Sequence, residues 1–398
     1  MSGPTSSRRL FALLFAAFAV YGGVFTVYGA TVPRVISDFG WSYLVTGLVL
    51  AAGSVGFFIS TFITGLVVEG SRSKAVYVAG LAICAAAVCL FARWPSPVIN
   101  LVLSFWVGIG QGVIEVVTNY ETVRLEKAGQ SRMMNLLHAG FSAGAIAGPI
   151  AVGALMGTGG SWKSVFPALG AIFAALAVVS LAVRFPAPET GRHQGTKGGL
   201  ALLRQPVLIL LCAVIILYVG SELGATNWVS EYFVRELGAP VSTAAFAVSA
   251  LWLGLLAGRA FLWVTWRSGR QEKLLLVLSL ACIAALLGFF AVRRGAIFPA
   301  MAVVFGLGLA YSGIYPLGVG LAGRVFRSSA AVGMIGTSAG LGSFSFPFLL
   351  AGIAQGAGLR AGFLMLAVLP LGIAATSLVL IRMLPRREAA RSVEPPAP

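Results

Sequence analysis

Charged side chains are scarce in this sequence of 398 residues: they make up 10% of the chain, whereas 58% of the residues are hydrophobic. A soluble domain carries about 25% charged residues, so this shortage excludes a water-soluble globular fold. The hydrophobic runs have roughly the 20 residues of a membrane-spanning helix and do not alternate over about 10 residues like barrel strands. We therefore predict an all-α, multi-pass membrane protein.

Cysteine and histidine are also rare, with four and two copies. The cysteines lie within apolar runs and have no partner at metal-binding spacing, so we interpret them as buried packing residues. No loop combines a nucleophile with a base or with metal ligands, and we expect no enzyme, no cofactor and no metal site. The net charge of +16 lies in short loops. It favours contact with anionic membrane lipids and no binding of nucleic acid.

Twelve apolar segments can be counted along the chain. They lie near residues 10–32, 43–68, 75–92, 97–123, 132–157, 163–184, 206–234, 241–265, 273–292, 296–322, 329–355 and 360–382. The longest non-apolar stretch separates six segments from six. We predict a six-helix bundle over 1–185, a cytoplasmic linker over 186–205, a second six-helix bundle over 206–384 and a disordered, Arg- and Pro-rich cytoplasmic tail over 385–398.

The distribution of Lys and Arg predicts the orientation. If both termini are cytoplasmic, 20 of the 28 basic residues lie in the inner segments and 7 in the outer loops, while Arg259 remains within a helix. Cytoplasmic loops of membrane proteins carry such an excess of basic residues. We therefore predict that the protein lies in the inner membrane of the cell and that both of its termini are cytoplasmic.

An internal repeat relates the two halves. Three short matches recur at offsets of 197, 198 and 196 residues: Tyr21-Gly22-Gly23 with Tyr218-Val219-Gly220, Gly108-Ile109-Gly110 with Gly306-Leu307-Gly308, and Ser142-Ala143-Gly144 with Ser338-Ala339-Gly340. Each match pairs one helix with the helix six later. Two parallel halves of this kind are how many secondary transporters are built, with a central site at the interface between the repeats.

Polar residues share one face in the fourth and fifth helices. Gln111, Glu115, Asn119 and Thr122 recur at helical spacing, and so do Asn135, His138 and Ser142. A carboxyl group near the middle of a bilayer costs about 2.5–3.5 kcal/mol on insertion scales. We therefore expect both faces to line a watery cavity, which helices 1, 4, 5, 7, 10 and 11 enclose.

Four acids lie at membrane depth: Glu115, Glu121, Glu222 and Glu231. Glu115 and Glu222 are near the middle of helices 4 and 7, where burial favours the neutral form of a carboxyl group and allows reversible protonation. A structural carboxyl bonded to a neighbouring helix is the alternative. We predict that Glu121 pairs with a loop base such as Arg124 and that Glu231 is solvated at the outer mouth.

The candidate substrate-binding residues are amides, an imidazole and aromatic rings that can bond hydroxyls or stack on a ring. They are Asn119, Asn135, His138, Asn227, Trp228, Tyr28, Tyr311 and Tyr315. Helix packing or interhelical hydrogen bonding is the alternative role for each. For Arg259 we predict an ion pair or a carbonyl contact near the cytosolic side, and no substrate contact.

The twelve helices and their repeat resemble the major facilitator superfamily. The loop after the second helix matches that family's G-x-L-x-D-R-x-G-R-R signature in part, through Gly65, Glu69, Gly70 and Arg72, but lacks the arginine after the acid. Gly144-xxx-Gly148-Pro149 resembles a signature of proton-coupled exporters. Close helix packing through the glycines is the simpler interpretation. The resemblance implies alternating access, and a monomer is usual for this architecture.

A further resemblance covers helices 4, 5 and 7. Met134-Asn135-Leu136-Leu137-His138 and Tyr218-Val219-Gly220-Ser221-Glu222, followed by Asn227-Trp228, are similar to the branch of fucose and glucose–proton symporters. That branch often has an acid in helix 1, where this chain has Tyr21, Phe25 and Tyr28. The resemblance implies symport of a sugar-like solute with a proton, with Glu222 and then Glu115 as proton carriers. A proton-coupled antiporter that exports drugs or other amphipathic molecules is the alternative, and a transport-inactive sensor with this fold is a third.

Overall fold

The computed structural model of the protein describes residues 4–68, 73–126, 132–186, 204–266, 270–326 and 329–393. In this part of the chain, twelve helices are long and apolar enough to cross a membrane. They are α1 (Pro4–Phe39), α2 (Tyr43–Val67), α3 (Ser73–Leu90), α4 (Pro97–Leu125), α5 (Arg132–Gly157), α6 (Val165–Ala182), α7 (Pro206–Arg235), α8 (Val241–Thr265), α9 (Gln271–Ala291), α10 (Ile297–Tyr311 and Ile314–Phe326), α11 (Ser329–Ala357) and α12 (Leu359–Val393). Large apolar side chains such as Val98, Val178 and Phe298 are exposed on the outside, as a surface facing lipid requires.

Six short turns join the helices at one end of the molecule, which we call the upper end; α1 begins at the lower end. Each upper turn contains one residue with a left-handed backbone, at φ of 60–89°. Five are glycines, which adopt this conformation without steric cost. The sixth is Ala92, whose amide donates to Asn100 Oδ1 over 2.8 Å. These tight reversals hold neighbouring helices antiparallel.

The two halves of the chain pack in the same pattern. In the first half α1 packs on α5, α2 on α4, and α3 on α4 and α6; in the second α7 packs on α11, α8 on α10, and α9 on α10 and α12. This equivalence confirms the predicted pair of pseudo-symmetric six-helix bundles. The bundles meet through α2 with α11, α5 with α8, and α1 with α7.

Glycine sets the distance between paired helices within each half. A Cβ atom on Gly144 of α5 would lie 2.7 Å from the carbonyl carbon of Ala19 in α1, and one on Gly148 would lie 2.7 Å from the carbonyl oxygen of Gly23. Both contacts are with backbone, so the helices could not approach so closely with larger residues. The structure therefore confirms the packing interpretation of the Gly144-xxx-Gly148-Pro149 segment.

Three details differ from the sequence predictions or lie beyond the described ranges. Helix α12 is assigned to Val393, and the disordered tail over 385–398 stays a prediction. Cys89 is exposed on α3 and not buried, whereas Cys84 and Cys282 are buried. Most of the predicted linker 186–205 and of the loop signature around Glu69 lies outside the described residues.

Candidate functional site

A cavity of about 720 Å³ lies between the two bundles. Its described lining comes from α1, α2, α4 and α5 of the first half and from the equivalent α7, α8, α10 and α11 of the second. The sequence predicted six of these eight helices and missed α2 and α8. The volume falls within the roughly 300–1,000 Å³ that pockets for small molecules occupy.

The upper end of the cavity is closed by contacts between the bundles. Gly153 of α5 packs against Phe246 of α8. Closer to the lower end, Ser249 Oγ of α8 donates to the carbonyl oxygen of Ile146 in α5 over 2.7 Å. Between α7 and α1, the Ser230 hydroxyl donates to the carbonyl oxygen of Gly29. These contacts hold the two bundles together at this end.

At the lower end α2 and α11 separate. Gly65 of α2 and Gly333 and Gly336 of α11 line the cavity, and no heavy atom would lie within 4 Å of a Cβ on any of them. Phe62 and Leu66 also line the cavity and are exposed. The cavity is therefore accessible from the lower end only, within the part of the chain that the structure describes.

Ionisable groups converge on the cavity from four helices. Glu115, His138, Glu222 and Arg259 lie on α4, α5, α7 and α8, respectively. Asn119 donates its Nδ2–H to Glu115 Oε1 over 2.8 Å. Arg259 lies within electrostatic reach of both Glu222 and His138, but in the described residues no acid oxygen approaches it within 4.0 Å. The charges thus face one another across space that a solute can fill.

One wall of the cavity is aromatic, and Phe141 of α5 is at its centre. Its ring centroid lies 5.0 Å from that of Tyr21, 5.4 Å from Phe18, 5.8 Å from Phe25 and 5.6 Å from Trp252. These tilted and edge-to-face arrangements are the favoured ones for aromatic pairs. The wall offers ring faces and edges to an apolar or ring-shaped part of a solute.

Six of the ten predicted site residues line the cavity: Glu115, Glu222, His138, Asn227, Tyr28 and Tyr315. The Tyr28 hydroxyl is buried and has no hydrogen-bond partner in the described part of the chain. The Tyr315 ring lies 6.4 Å from that of Tyr218, which also lines the cavity. These residues come from α1, α4, α5, α7 and α10, so the structure brings together groups far apart in sequence.

Four predicted contact residues do not line the cavity, and three of them have bonds elsewhere. Asn119 lies behind Glu115 as its donor. Trp228 is fully buried and donates Nε1–H to the carbonyl oxygen of Pro347 over 3.2 Å. The Tyr311 hydroxyl is bonded to Ser221 Oγ at 2.5 Å. Asn135 is one turn below His138 on α5 and is also absent from the described lining. Substrate contact by these four residues stays a prediction, and in this state of the protein the described cavity lining does not include them.

The most consequential residue missed is Arg259, which lines the cavity, whereas the sequence analysis placed it away from the substrate. Its signal was available, since it is the single basic residue within an apolar run, and an intramembrane charge marks a functional site by default. Trp252 lies on the same face of α8, seven residues earlier. Gln111 lines the cavity too, and the predicted polar face of α4 had included it.

Two other acids at membrane depth do not line the cavity. Glu121 is buried and accepts from Arg124 Nη1 at 3.2 Å, as predicted. Glu231 was expected to be solvated, and this is wrong: its side chain is fully buried, with Arg235 Nε at 2.9 Å and the Tyr43 hydroxyl at 3.3 Å. Through Tyr43 it links α7 to α2 at the closed end.

We expect Arg235→Gln to lower the free energy of unfolding by about 1–3 kcal/mol, because it leaves the buried Glu231 carboxylate without its charged donor. The exposed half of Arg235 limits the effect. Arg34→Gln is the matched control: its partner Asp38 is also four residues away in a helix at the upper end, but that side chain is 34% exposed. Thermal unfolding in detergent measures both, and equal losses would contradict the prediction.

Comparison with known proteins shows to which family the chain belongs. The family model described as Major Facilitator Superfamily matches residues 13–302, which is more than half of the chain. The chain belongs to the major facilitator superfamily. It is therefore a secondary transporter that works by alternating access, and not an enzyme.

Relatives and solved structures agree with this membership. An uncharacterized MFS-type transporter of Yersinia pestis is 26% identical, over 92% of this chain and 94% of its own length. The Protein TsgA homolog of Erwinia tasmaniensis is 22% identical over 76% of each chain. The nucleoside transporter NupG has the same fold, with a TM-score of 0.75 at 14% identity over 96% and 99% of the two chains. A bacterial homolog of the human lysosomal transporter Spinster, inward-facing and unoccupied, gives 0.76 at 15% identity over 96% and 98%.

Proposed function

We propose that this superfamily member moves a small polar, sugar-like solute together with a proton, and that Glu222 carries the proton. The observation that carries the proposal is the position of Glu222: it lies about midway along α7, lines the cavity and is only 7% exposed. In such a place both burial and the nearby Arg259 guanidinium act on the charge of the carboxyl group. Binding and release of a proton at Glu222 can therefore follow the change of access.

Glu115 is the second proton carrier in this proposal. It faces the cavity from α4, in the other bundle, and it is bonded to Asn119. Asn227, His138, Tyr28 and Tyr315 supply the polar contacts to the solute, with the aromatic wall beside them. The similarity of helices 4, 5 and 7 to sugar–proton symporters supports the sugar-like class.

The distribution of basic residues supports an orientation and a state for the transporter. With both termini cytoplasmic, 20 of the 28 Lys and Arg residues are on the inner side. The lower, open end of the cavity then faces the cytoplasm, and the closed upper end faces the outer side of the inner membrane. In this proposal the structure is the inward-facing state, and the upper contacts form the closed outer gate.

The test combines a ligand screen with transport. Thermal-shift screening of the purified protein against sugars, amino acids and cationic drugs identifies the solute, because a ligand at 100 times its Kd stabilises by about 2.7 kcal/mol. In proteoliposomes with a proton gradient, we expect Glu222→Gln to lose accumulation of that solute while it retains counterflow exchange. Glu236→Gln, at the upper end of α7, is the matched control and should accumulate normally. Full accumulation by Glu222→Gln would remove this residue from the mechanism.

The alternative is proton-coupled export of drugs or other amphipathic molecules. The aromatic wall around Phe141 favours it, because rings and apolar side chains bind such molecules. A resistance phenotype on expression, without uptake that a sugar competes, would select this function. Uptake that a sugar competes, without a resistance phenotype, would select symport.

A further inference from the structure

Arg259 is the only Lys or Arg in the described lining of the cavity. Its guanidinium carries five N–H donors, yet none of them makes a hydrogen bond or an ion pair in the described part of the chain. A basic side chain at membrane depth costs about 2.5–3.5 kcal/mol on insertion scales and is normally paired. An unpaired guanidinium that lines a cavity is therefore available to bind an anion.

The surrounding charges restrict which anion can bind. The titratable groups near Arg259 and its neighbour Glu222 are Tyr218 on α7, His138 on α5, Tyr311 and Tyr315 on α10 and, across the cavity, Tyr21 on α1 and Glu115 on α4. Glu222 is the acid that interacts electrostatically with Arg259. When Glu222 is ionised, the pair is neutral overall and competes with an incoming anion.

We propose that the transported solute carries one carboxylate group, which binds Arg259 when Glu222 takes up the proton and no longer balances the charge of the guanidinium. This inference rests on the proposed function and adds the charge of the substrate to it. Before binding, the charges are one guanidinium and one carboxylate; after binding, they are one guanidinium, one neutral carboxyl group and the solute carboxylate. Both states are neutral, so both can change access through a low-dielectric interior.

The incomplete states carry a net charge. A proton on Glu222 without the solute leaves one positive charge, and the solute without the proton leaves one negative charge. Each leaves an uncompensated charge in the closing cavity, which is costly. Charge balance at Arg259 therefore couples one proton to one monoanion. A dianion such as a phosphate ester would leave one negative charge without compensation.

The aromatic wall limits the size of the solute. Trp252 precedes Arg259 by seven residues on α8, so the two share one helix face at a separation of roughly 10 Å. Trp252 contacts Phe25 and Phe141 in the wall. A solute whose carboxylate binds Arg259 thus places a six-membered ring or a body of similar size against these side chains.

Calorimetry on the full-length protein at pH 5.5 and 7.5 tests the inference with two matched pairs, glucuronate with glucose and benzoate with benzyl alcohol. We expect a carboxylate to bind more tightly than its neutral partner. Its affinity should rise at the lower pH by up to about tenfold per unit, because protonation of Glu222 removes the negative charge that repels the incoming carboxylate. At pH 7.5, binding should take up about one proton, which the dependence of the heat on the buffer measures.

Variants separate the two groups. Arg259→Gln should weaken carboxylate binding at least about thirtyfold, since it removes the charged partner of the carboxylate, and Arg259→Lys should retain part of the affinity and the fold. Glu222→Gln should bind the carboxylate with a much smaller dependence on pH than the unmodified protein. Failure of both carboxylates to bind at either pH, or Arg259 variants that bind them normally, would overturn the inference. Proton-driven uptake of the neutral partner would overturn it while supporting the proposed function, whereas carboxylate uptake without any proton would refute the proposed function itself.

Discussion

A disulfide between Gly157→Cys and Ser242→Cys is expected to stop transport completely. A Cβ atom on Gly157 at the end of α5 would lie 4.0 Å from the Cβ of Ser242 at the start of α8, within the 3.5–4.5 Å that disulfides span. The bond would join the two bundles at the closed upper end. Alternating access requires the cavity to open at that end in its other state, so an oxidised carrier would remain closed there.

The experiment uses a background in which the four native cysteines are replaced. Uptake into proteoliposomes should fall to the level of empty liposomes after oxidation and return on addition of a reductant. Each single-cysteine variant is a matched control and should be insensitive to the oxidant. If the doubly substituted, fully cross-linked protein transported normally, the upper contacts would not be a gate.

The fold was predictable because the bilayer allows few solutions. Backbone groups in hydrocarbon must be bonded within their own segment, so each apolar run of sufficient length is a helix, and all twelve predicted segments are found. The repeat then predicted two equivalent bundles. The residues that the repeat paired are, however, displaced by two positions at two of the three matches. The equivalent of Gly144, which packs against α1, is Gly342 and not Gly340, because Gly342 packs against the α7 backbone. In α10, Gly308 and not Gly306 packs against α8.

This error in register has a physical reason. Short motifs of small residues recur by chance in membrane helices, and a shift of two residues rotates a helix face by about 200°. The residue in contact is therefore decided by the partner helix, which the sequence does not specify. Gly306 matches Gly108 in sequence, yet a Cβ on Gly306 would meet nothing within 4 Å.

The candidate site was predictable for its carboxylates and less so for its neutral groups. A charge in hydrocarbon has few places to lie, and Glu115 and Glu222 both line the cavity. Amides, tryptophan and tyrosine can instead bond to a neighbouring helix, as Trp228 bonds to Pro347. The same reasoning, applied to Arg259, would have found it. The prediction of a local ion pair for Arg259 led away from the cavity.

Gly144→Val is expected to abolish folding, with a cost of at least about 3 kcal/mol from overpacking. The first added atom would meet the carbonyl group of Ala19, with its carbon 2.7 Å away, and the amide nitrogen of Gly23 at 3.1 Å. Backbone atoms of α1 cannot turn aside as a side chain can, so α1 and α5 would have to separate. Since α5 also closes the cavity against α8, the damage would reach the interface between the bundles.

Gly306→Ala is the matched control, because it also adds a Cβ to a glycine within a membrane helix but meets open space. It should leave the protein folded and raise its stability by roughly 0.5–1 kcal/mol, through the better helix propensity of alanine. Monodisperse yield on size-exclusion chromatography and thermal unfolding in detergent measure both variants. A well-folded Gly144→Val protein would show that α1 and α5 do not need their close contact, and the packing role assigned to this glycine would then be wrong.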